Sequence, residues 1–96
     1  MNIQIQAIKF DATEKLQQFI TKKISKIERL YDQISTAEVI LKVVKPETSE
    51  NKEAEITLIA PNQKFFASKV CDTFEEAVDE TIEALEKQIE KAKAKK

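Results

Sequence analysis

Four basic side chains recur in one stretch of this sequence at the spacing of a single helix face. They are Lys15, Lys22, Lys26 and Arg29. At roughly 100° per residue they fall within about 60° of one another on a helix. Between positions 15 and 29 there are five basic residues and one acid, a local charge of +4 in a chain whose net charge is −1. Ammonium and guanidinium groups bind phosphate oxygens, so this row suits an anionic polymer.

Lysines on the exposed side of a helix often do no more than keep that side in contact with water. In this chain the charges are segregated along the sequence, and this segregation favours a binding function. Positions 72 to 86 carry seven acids and no base, whereas positions 87 to 96 carry five lysines and one glutamate. The slightly negative net charge argues against indiscriminate binding to nucleic acid. The same net charge is compatible with a single cationic site of defined shape.

Two absent residue types exclude most catalytic chemistry. The chain has no histidine, which removes the commonest general base and the commonest zinc ligand. It has no glycine, so glycine-rich phosphate loops and dinucleotide-binding turns are excluded. The single cysteine, Cys71, is interpreted as a small buried hydrophobe at the end of a strand. We therefore expect no enzyme activity, no metal site and no cofactor.

Length and composition predict one domain spanning residues 1–96, because 96 residues can bury a single core. The last residues, 91–96, are rich in lysine and are predicted to be a frayed basic end. The sequence contains no apolar run of about 20 residues, as a membrane span would need. Its N-terminus lacks the pattern of a secretory signal, and we therefore expect the protein in the cytoplasm.

Hydrophobic periodicity predicts the element order β-α-β-β-β-α. The predicted strands are Asn2–Ala7, Ala37–Val44, Glu53–Ala60 and Lys64–Cys71, and the predicted helices are 13–31 and one starting at 72 or 73. The first crossover should make strands one and two parallel, and strands two to four should form an antiparallel meander. The predicted fold is α+β, with a four-stranded mixed sheet and two helices packed on one face.

Local signals mark where the helices begin and which side of the second helix is buried. Thr13 or Asp11 should cap the first helix, and Asp72 or Thr73 the second. Pro61 and Asn62 should form the turn between the last two strands. The buried stripe of the second helix is predicted to be Phe74, Ala77, Val78, Ile82, Leu85, Ile89 and Ala92.

Two longer patterns carry a family resemblance. The first is Phe10-x-x-Thr13-x-x-Leu16-x-x-Phe19-Ile20-x-x-Lys23-Ile24-x-Lys26-Ile27-x-Arg29-Leu30. The second is Asp72-Thr73-Phe74-x-x-Ala77-Val78-Asp79-x-x-Ile82-x-x-Leu85-Glu86-Lys87-Gln88-Ile89-x-Lys91. Together they resemble the ribosome hibernation promoting factors and ribosome-associated inhibitors, also called sigma-factor modulation proteins.

The resemblance implies a translation inhibitor that acts under stress or in stationary phase. Its partner would be the small ribosomal subunit, through ribosomal RNA and adjacent ribosomal proteins in the channel for messenger and transfer RNAs. It implies no membrane partner and no small-molecule substrate. Of the predicted RNA-binding residues, Lys22 comes from the helical wheel and the other five from the resemblance. The set is Lys22, Lys23, Lys26, Arg29, Lys87 and Lys91.

Departures from the family pattern fall on the second helix, where Ala84 and Glu90 stand at positions that are commonly basic in the family. Two alternative functions remain open at this point. One is a stand-alone RNA-binding module of the double-stranded-RNA-binding type, although the second helix of this chain starts with acids. The other is a protein-interaction regulatory module whose charges only keep it soluble.

Overall fold

Six elements follow one another in the predicted order. The computed structural model describes residues 1–44 and 50–94. The elements are β1 (Asn2–Ala7), α1 (Glu14–Leu30), β2 (Thr36–Val43), β3 (Lys52–Ala60), β4 (Gln63–Cys71) and α2 (Phe74–Ala94). Each strand boundary lies within one residue of its prediction. Alternation of apolar and polar residues located the strands, because one face of this sheet is buried and the other is not.

The sheet has the predicted mixed topology, with strand order β1-β2-β3-β4. β1 pairs with β2 in parallel, and Ile5 lies opposite Val39. β2, β3 and β4 pair in antiparallel fashion, and Ile56 lies opposite both Val39 and Ala67. The inward-facing side chains of the strands thus form continuous rows beneath the helices.

The core lies between the sheet and the two helices. The largest fully buried side chains come from both helices and the two central strands: Ile20, Ile24, Ile27, Val39, Leu41, Ile56, Leu58, Val78, Thr81, Leu85 and Ile89. The outer face of the sheet is mixed, because it carries the exposed Phe66 and Val70 beside polar side chains. On this face the Lys42 ammonium lies 3.2 Å from Glu53 and 3.0 Å from Glu55. Hydrogen bonds that the Lys42 ammonium donates to Glu55 and Glu53 raise the pKa of Lys42. The prediction of both helices on one face is confirmed.

Threonine side chains cap both helices. The Thr13 hydroxyl oxygen accepts a hydrogen bond from the Leu16 amide at 3.1 Å, and the Thr73 hydroxyl oxygen accepts one from the Glu76 amide at the same distance. Each satisfies an amide that the first turn of a helix leaves without a partner. The β3–β4 turn has Asn62 at φ 62°, a left-handed conformation that asparagine tolerates in place of glycine.

Some predictions lie partly outside the described residues. The polar composition of residues 46–52 predicts a mobile loop, and residues 46–49 of that stretch lie outside the described residues. Residues 95 and 96, which belong to the end predicted to fray, also lie outside them. Helix α2 continues to Ala94, and the prediction of a frayed end over 91–96 stays a prediction. Within the described residues, no helix is both long and apolar enough to cross a membrane.

Shortening Leu85 should destabilise the fold strongly. Leu85 is fully buried in the middle of α2, and removing a buried leucine side chain typically lowers the free energy of unfolding by about 2 to 5 kcal/mol. We expect Leu85→Ala to lower the midpoint of urea unfolding accordingly. Glu83→Ala, at an exposed position of the same helix, is the control and should change stability by about 0.5 kcal/mol or less. Equal midpoints for the two variants would contradict this packing of α2.

Candidate nucleic-acid interface

The cations of α1 are exposed because the opposite side of the helix is buried. Leu16, Ile20, Ile24 and Ile27 form the buried stripe. Lys22, Lys26 and Arg29 lie on the solvent side, and all three are exposed, as is Lys15. Rotating α1 to hide these cations would expose the isoleucines. The fold therefore holds a row of positive charge on one outer side of the molecule.

Lys23 differs from its neighbours because it joins the two helices. Its ammonium lies 2.9 Å from the Asp79 carboxylate of α2 and 5.4 Å from the centroid of the Phe19 ring. The side chain is 23% exposed. Its charge is partly neutralised within the protein, so Lys23 contributes to the position of α2 as well as to the positive potential of α1.

The flank of α2 that faces α1 is acidic along most of its length. Two contacts identify this flank: the Asp79–Lys23 pair and a hydrogen bond of 3.1 Å from the Lys93 ammonium to the Leu30 carbonyl oxygen. Glu86 lies seven residues from each contact residue, and a spacing of seven keeps side chains within about 20° of one direction. Asp79 and Glu86 thus border the inner side of the cationic row.

Lys87 and Lys91 point away from that flank. They are turned by about 80° and 120° from the direction of Asp79, toward solvent and toward β4. Both line a shallow cleft of about 380 Å³ together with Lys69, Gln88, Ala84, Glu80 and Glu83. The Gln88 side chain crosses to β4, where its amide nitrogen donates to the Phe66 carbonyl oxygen at 2.7 Å. The structure therefore separates the predicted site residues into two cationic groups.

Lys69 belongs to the second group and was missed by the sequence analysis. It lies in β4 at the same alternation as Phe65, Ala67 and Cys71, on the helix side of the sheet. Because β4 is an edge strand, a lysine at this position reaches solvent beside α2. The alternation of side chains in this strand could have identified Lys69, because a lysine at a core-facing position predicts either an edge strand or a functional site.

Cys71 ends β4 as a buried thiol, as the sequence suggested. Its sulfur lies 3.2 Å from a carboxylate oxygen of Glu80, and the residue is 6% exposed. Burial, and secondarily the hydrogen bond to Glu80, raise the pKa of the Cys71 thiol to about 11. The thiol therefore stays protonated at neutral pH, where it is a poor nucleophile.

The raised thiol pKa predicts a specific dependence of stability on pH. The folded-state pKa is about 11 and the unfolded value 9.0, so between them the unfolded chain loses the proton first. The stabilisation from the protonated thiol is present below about pH 9 and is lost as the pH rises toward 11. Wild type should therefore lose more stability than Cys71→Ala across that range in urea unfolding. Parallel curves for the two proteins would contradict this assignment.

The fold and the exposed charges define a small α+β domain with cations on both of its helices. Comparison with known sequences gives the family: the chain belongs to the sigma 54 modulation protein / S30EA ribosomal protein family, whose model matches residues 3–96. The family resemblance in the two helix patterns is thereby confirmed. Members of this family are ribosome hibernation and modulation factors, not enzymes, and the expectation of a non-enzymatic protein is confirmed with it.

Individual relatives agree over almost the whole chain. The chain is 30% identical over 95 residues to the ribosome hibernation promoting factor of Escherichia coli K12, covering 99% of this chain and 96% of that one. It is 26% identical to the Pseudomonas putida factor, covering 99% and 89%. A solved ribosomal subunit interface protein from Coxiella burnetii superposes with a TM-score of 0.87 at 26% identity, covering 98% of this chain and 99% of that one.

Proposed function

We propose that this protein is a cytoplasmic ribosome-binding hibernation factor that occupies the channel for messenger and transfer RNAs in the small ribosomal subunit and inhibits translation under stress. The observation that carries the proposal is the exposed row of Lys22, Lys26 and Arg29 on a helix whose opposite side is fully buried. The names of the relatives support the choice of the ribosome as the anionic partner.

Such inhibition requires that the protein bind the ribosome and occupy space there, but it requires no covalent chemistry. Lys26 and Arg29 would contact phosphates of folded ribosomal RNA, and each contact would release condensed counterions. Structured RNA presents its phosphates in a fixed arrangement, so a rigid row of cations can recognise its shape without reading its sequence. The folded body measures 45 × 23 × 19 Å, and a body of that size would exclude competing RNA strands by volume.

The second cationic group would extend the contact surface. Lys87 and Lys91 lie on the β4 side of α2 and Lys69 lies beside them, so three ammonium groups border one cleft. Glu80 and Glu83 border the same cleft and weaken its attraction for phosphate. We therefore assign the larger share of the RNA affinity to α1. Lys23, already paired with Asp79, would contribute less than its exposed neighbours.

Reversing two charges on α1 should abolish ribosome binding. Lys26→Glu together with Arg29→Glu places two carboxylates where phosphates would lie, and both positions are exposed. We expect the double variant to fail to pellet with small subunits at physiological salt. Its stability should change by about 0.5 kcal/mol per exposed site or less.

The matched control reverses the same number of charges elsewhere. Lys9 and Lys64 are exposed and lie outside both helices. Lys9→Glu with Lys64→Glu should pellet with small subunits nearly as well as wild type. If the α1 variant still pellets normally, the cationic row is not the binding site. If both double variants fail equally, binding depends only on total charge.

Adding a cation to the α2 cleft should strengthen binding. Ala84 lies about one turn before Lys87 and lines the cleft of Lys69, Lys87 and Lys91. Ala84→Lys should raise ribosome affinity and steepen the plot of log affinity against log salt by up to about one unit. Gln4→Lys, which adds the same charge to the outer face of β1, should leave the slope unchanged. Equal slopes for all three proteins would mean that the α2 cleft faces solvent in the complex.

A further inference from the structure

A second, larger cleft lies where the ends of the two helices meet the start of β4. Its volume is about 610 Å³, within the range of about 300 to 1,000 Å³ that is common for ligand pockets. The end of α1 contributes Tyr31, β4 contributes Gln63 and Phe65, and α2 contributes its last turns. The Lys93–Leu30 hydrogen bond fixes the two helix ends beside each other at this place.

The floor of this cleft is aromatic and apolar. Phe65 and Ile89 are buried, and Tyr31 is half-buried. The Tyr31 and Phe65 rings meet edge to face, with centroids 6.0 Å apart and planes at 89°. In that arrangement the two rings do not stack on each other. Tyr31 is thus the aromatic side chain of this cleft that a flat ligand can reach.

The rim of the cleft is cationic. Lys91 and Lys93 line it, and none of the described residues that line it is acidic, although the chain contains 17 acids. The neighbouring cleft around Lys87 does contain two glutamates, so the absence of acids distinguishes this one. The side-chain amides of Gln63 and Gln88 add hydrogen-bond donors and acceptors. The ring can stack on a base, the two ammonium groups can bind phosphates, and the two amides can hydrogen-bond the edge of the base. The cleft therefore carries the groups that binding of a nucleotide requires.

We propose that this cleft binds one unpaired RNA nucleotide, with its base stacked on Tyr31 and its flanking phosphates held by Lys91 on one side of the cleft and Lys93 on the other. The inference rests on the proposed function, because it makes the cleft part of the RNA-binding surface. Arg29, the last cation of the α1 row, precedes Tyr31 by two residues, so the row ends at the same end of α1 as the cleft, although the two side chains leave the helix in different directions. The cleft also joins α1 to the end of α2, which the acidic flank otherwise separates.

The composition of the chain provides a direct reporter for this cleft. Tyr31 is the only tyrosine and the chain has no tryptophan, so tyrosine fluorescence comes from this one position. Stacking of a base on the ring should quench that fluorescence. Pentauridylate, which has bases and phosphates, should quench it in a saturable way. An abasic ribose-phosphate pentamer, which has only the phosphates, should quench it little. Equal quenching by the two probes, or no quenching at millimolar pentauridylate, would overturn the proposal.

Small-subunit binding by variants separates this proposal from the proposed function. Tyr31→Leu keeps an apolar side chain but removes the ring, and loss of one stacked base should weaken binding roughly 5- to 150-fold. The salt dependence should stay unchanged, because a neutral stacking contact releases no counterions. Tyr31→Phe keeps the ring and should bind within about threefold of wild type, and it also controls for effects on folding.

The outcomes are distinguishable. If Tyr31→Leu binds like wild type while Lys26→Glu with Arg29→Glu abolishes binding, the nucleotide cleft is wrong and the proposed function stands. If even the wild-type protein does not bind small subunits, the proposed function is wrong. The dependence of fluorescence quenching on bases then tests by itself whether the cleft binds a nucleotide. If Tyr31→Leu weakens binding but quenching does not depend on bases, the cleft contacts a ribosomal protein, which overturns the nucleotide assignment.

Discussion

The burial of two apolar helix stripes against one face of the sheet fixes the direction of the charged groups on both helices. Ile20 and Ile24 on α1 and Leu85 and Ile89 on α2 have no exposed area, so neither helix can rotate without exposing its core side. The exposure of the α1 cations follows from this constraint, because they lie on the side of the helix that does not pack against the core. A helix held in place in this way presents its cations to a fixed phosphate arrangement with a smaller loss of backbone conformational entropy than a flexible segment would.

Three contacts between residues far apart in sequence set the relation between the helices. The Lys23–Asp79 pair lies near the middle of α1, and the stacked rings of Phe10 and Phe74, with centroids 4.9 Å apart, lie before it. Together with the Lys93–Leu30 hydrogen bond they hold the helices in register from end to end. The acidic flank of α2, with Asp79 and Glu86, consequently lies between the α1 row and the α2 cations Lys87 and Lys91. The α1 row and the α2 cleft are therefore two separate cationic surfaces.

The sequence predicted the elements and the α1 row well, because both depend on periodicity within one segment. Alternation located β1 and β3, and the three- and four-residue spacing of the isoleucines oriented α1. The position of Lys91 relative to α1 could not be predicted, because it depends on which flank of α2 packs beside α1. Lys23 illustrates the same limit: a helical wheel gives its angle, but only the folded chain gives its partner, Asp79. Lys69, in contrast, could have been found from the sequence, because it lies at a core-facing position of the last strand of the predicted meander, which is an edge strand.

The central claim is that this molecule occupies the RNA channel of the small subunit through its helical cations. Chemical footprinting of ribosomal RNA in purified small subunits, with and without the protein, tests that claim most directly. The account predicts protection of nucleotides that bound transfer and messenger RNA also protect, and loss of that protection when those RNAs are added in excess. Protection confined to the outer surface of the subunit, or protection that persists in the presence of both RNAs, would contradict it.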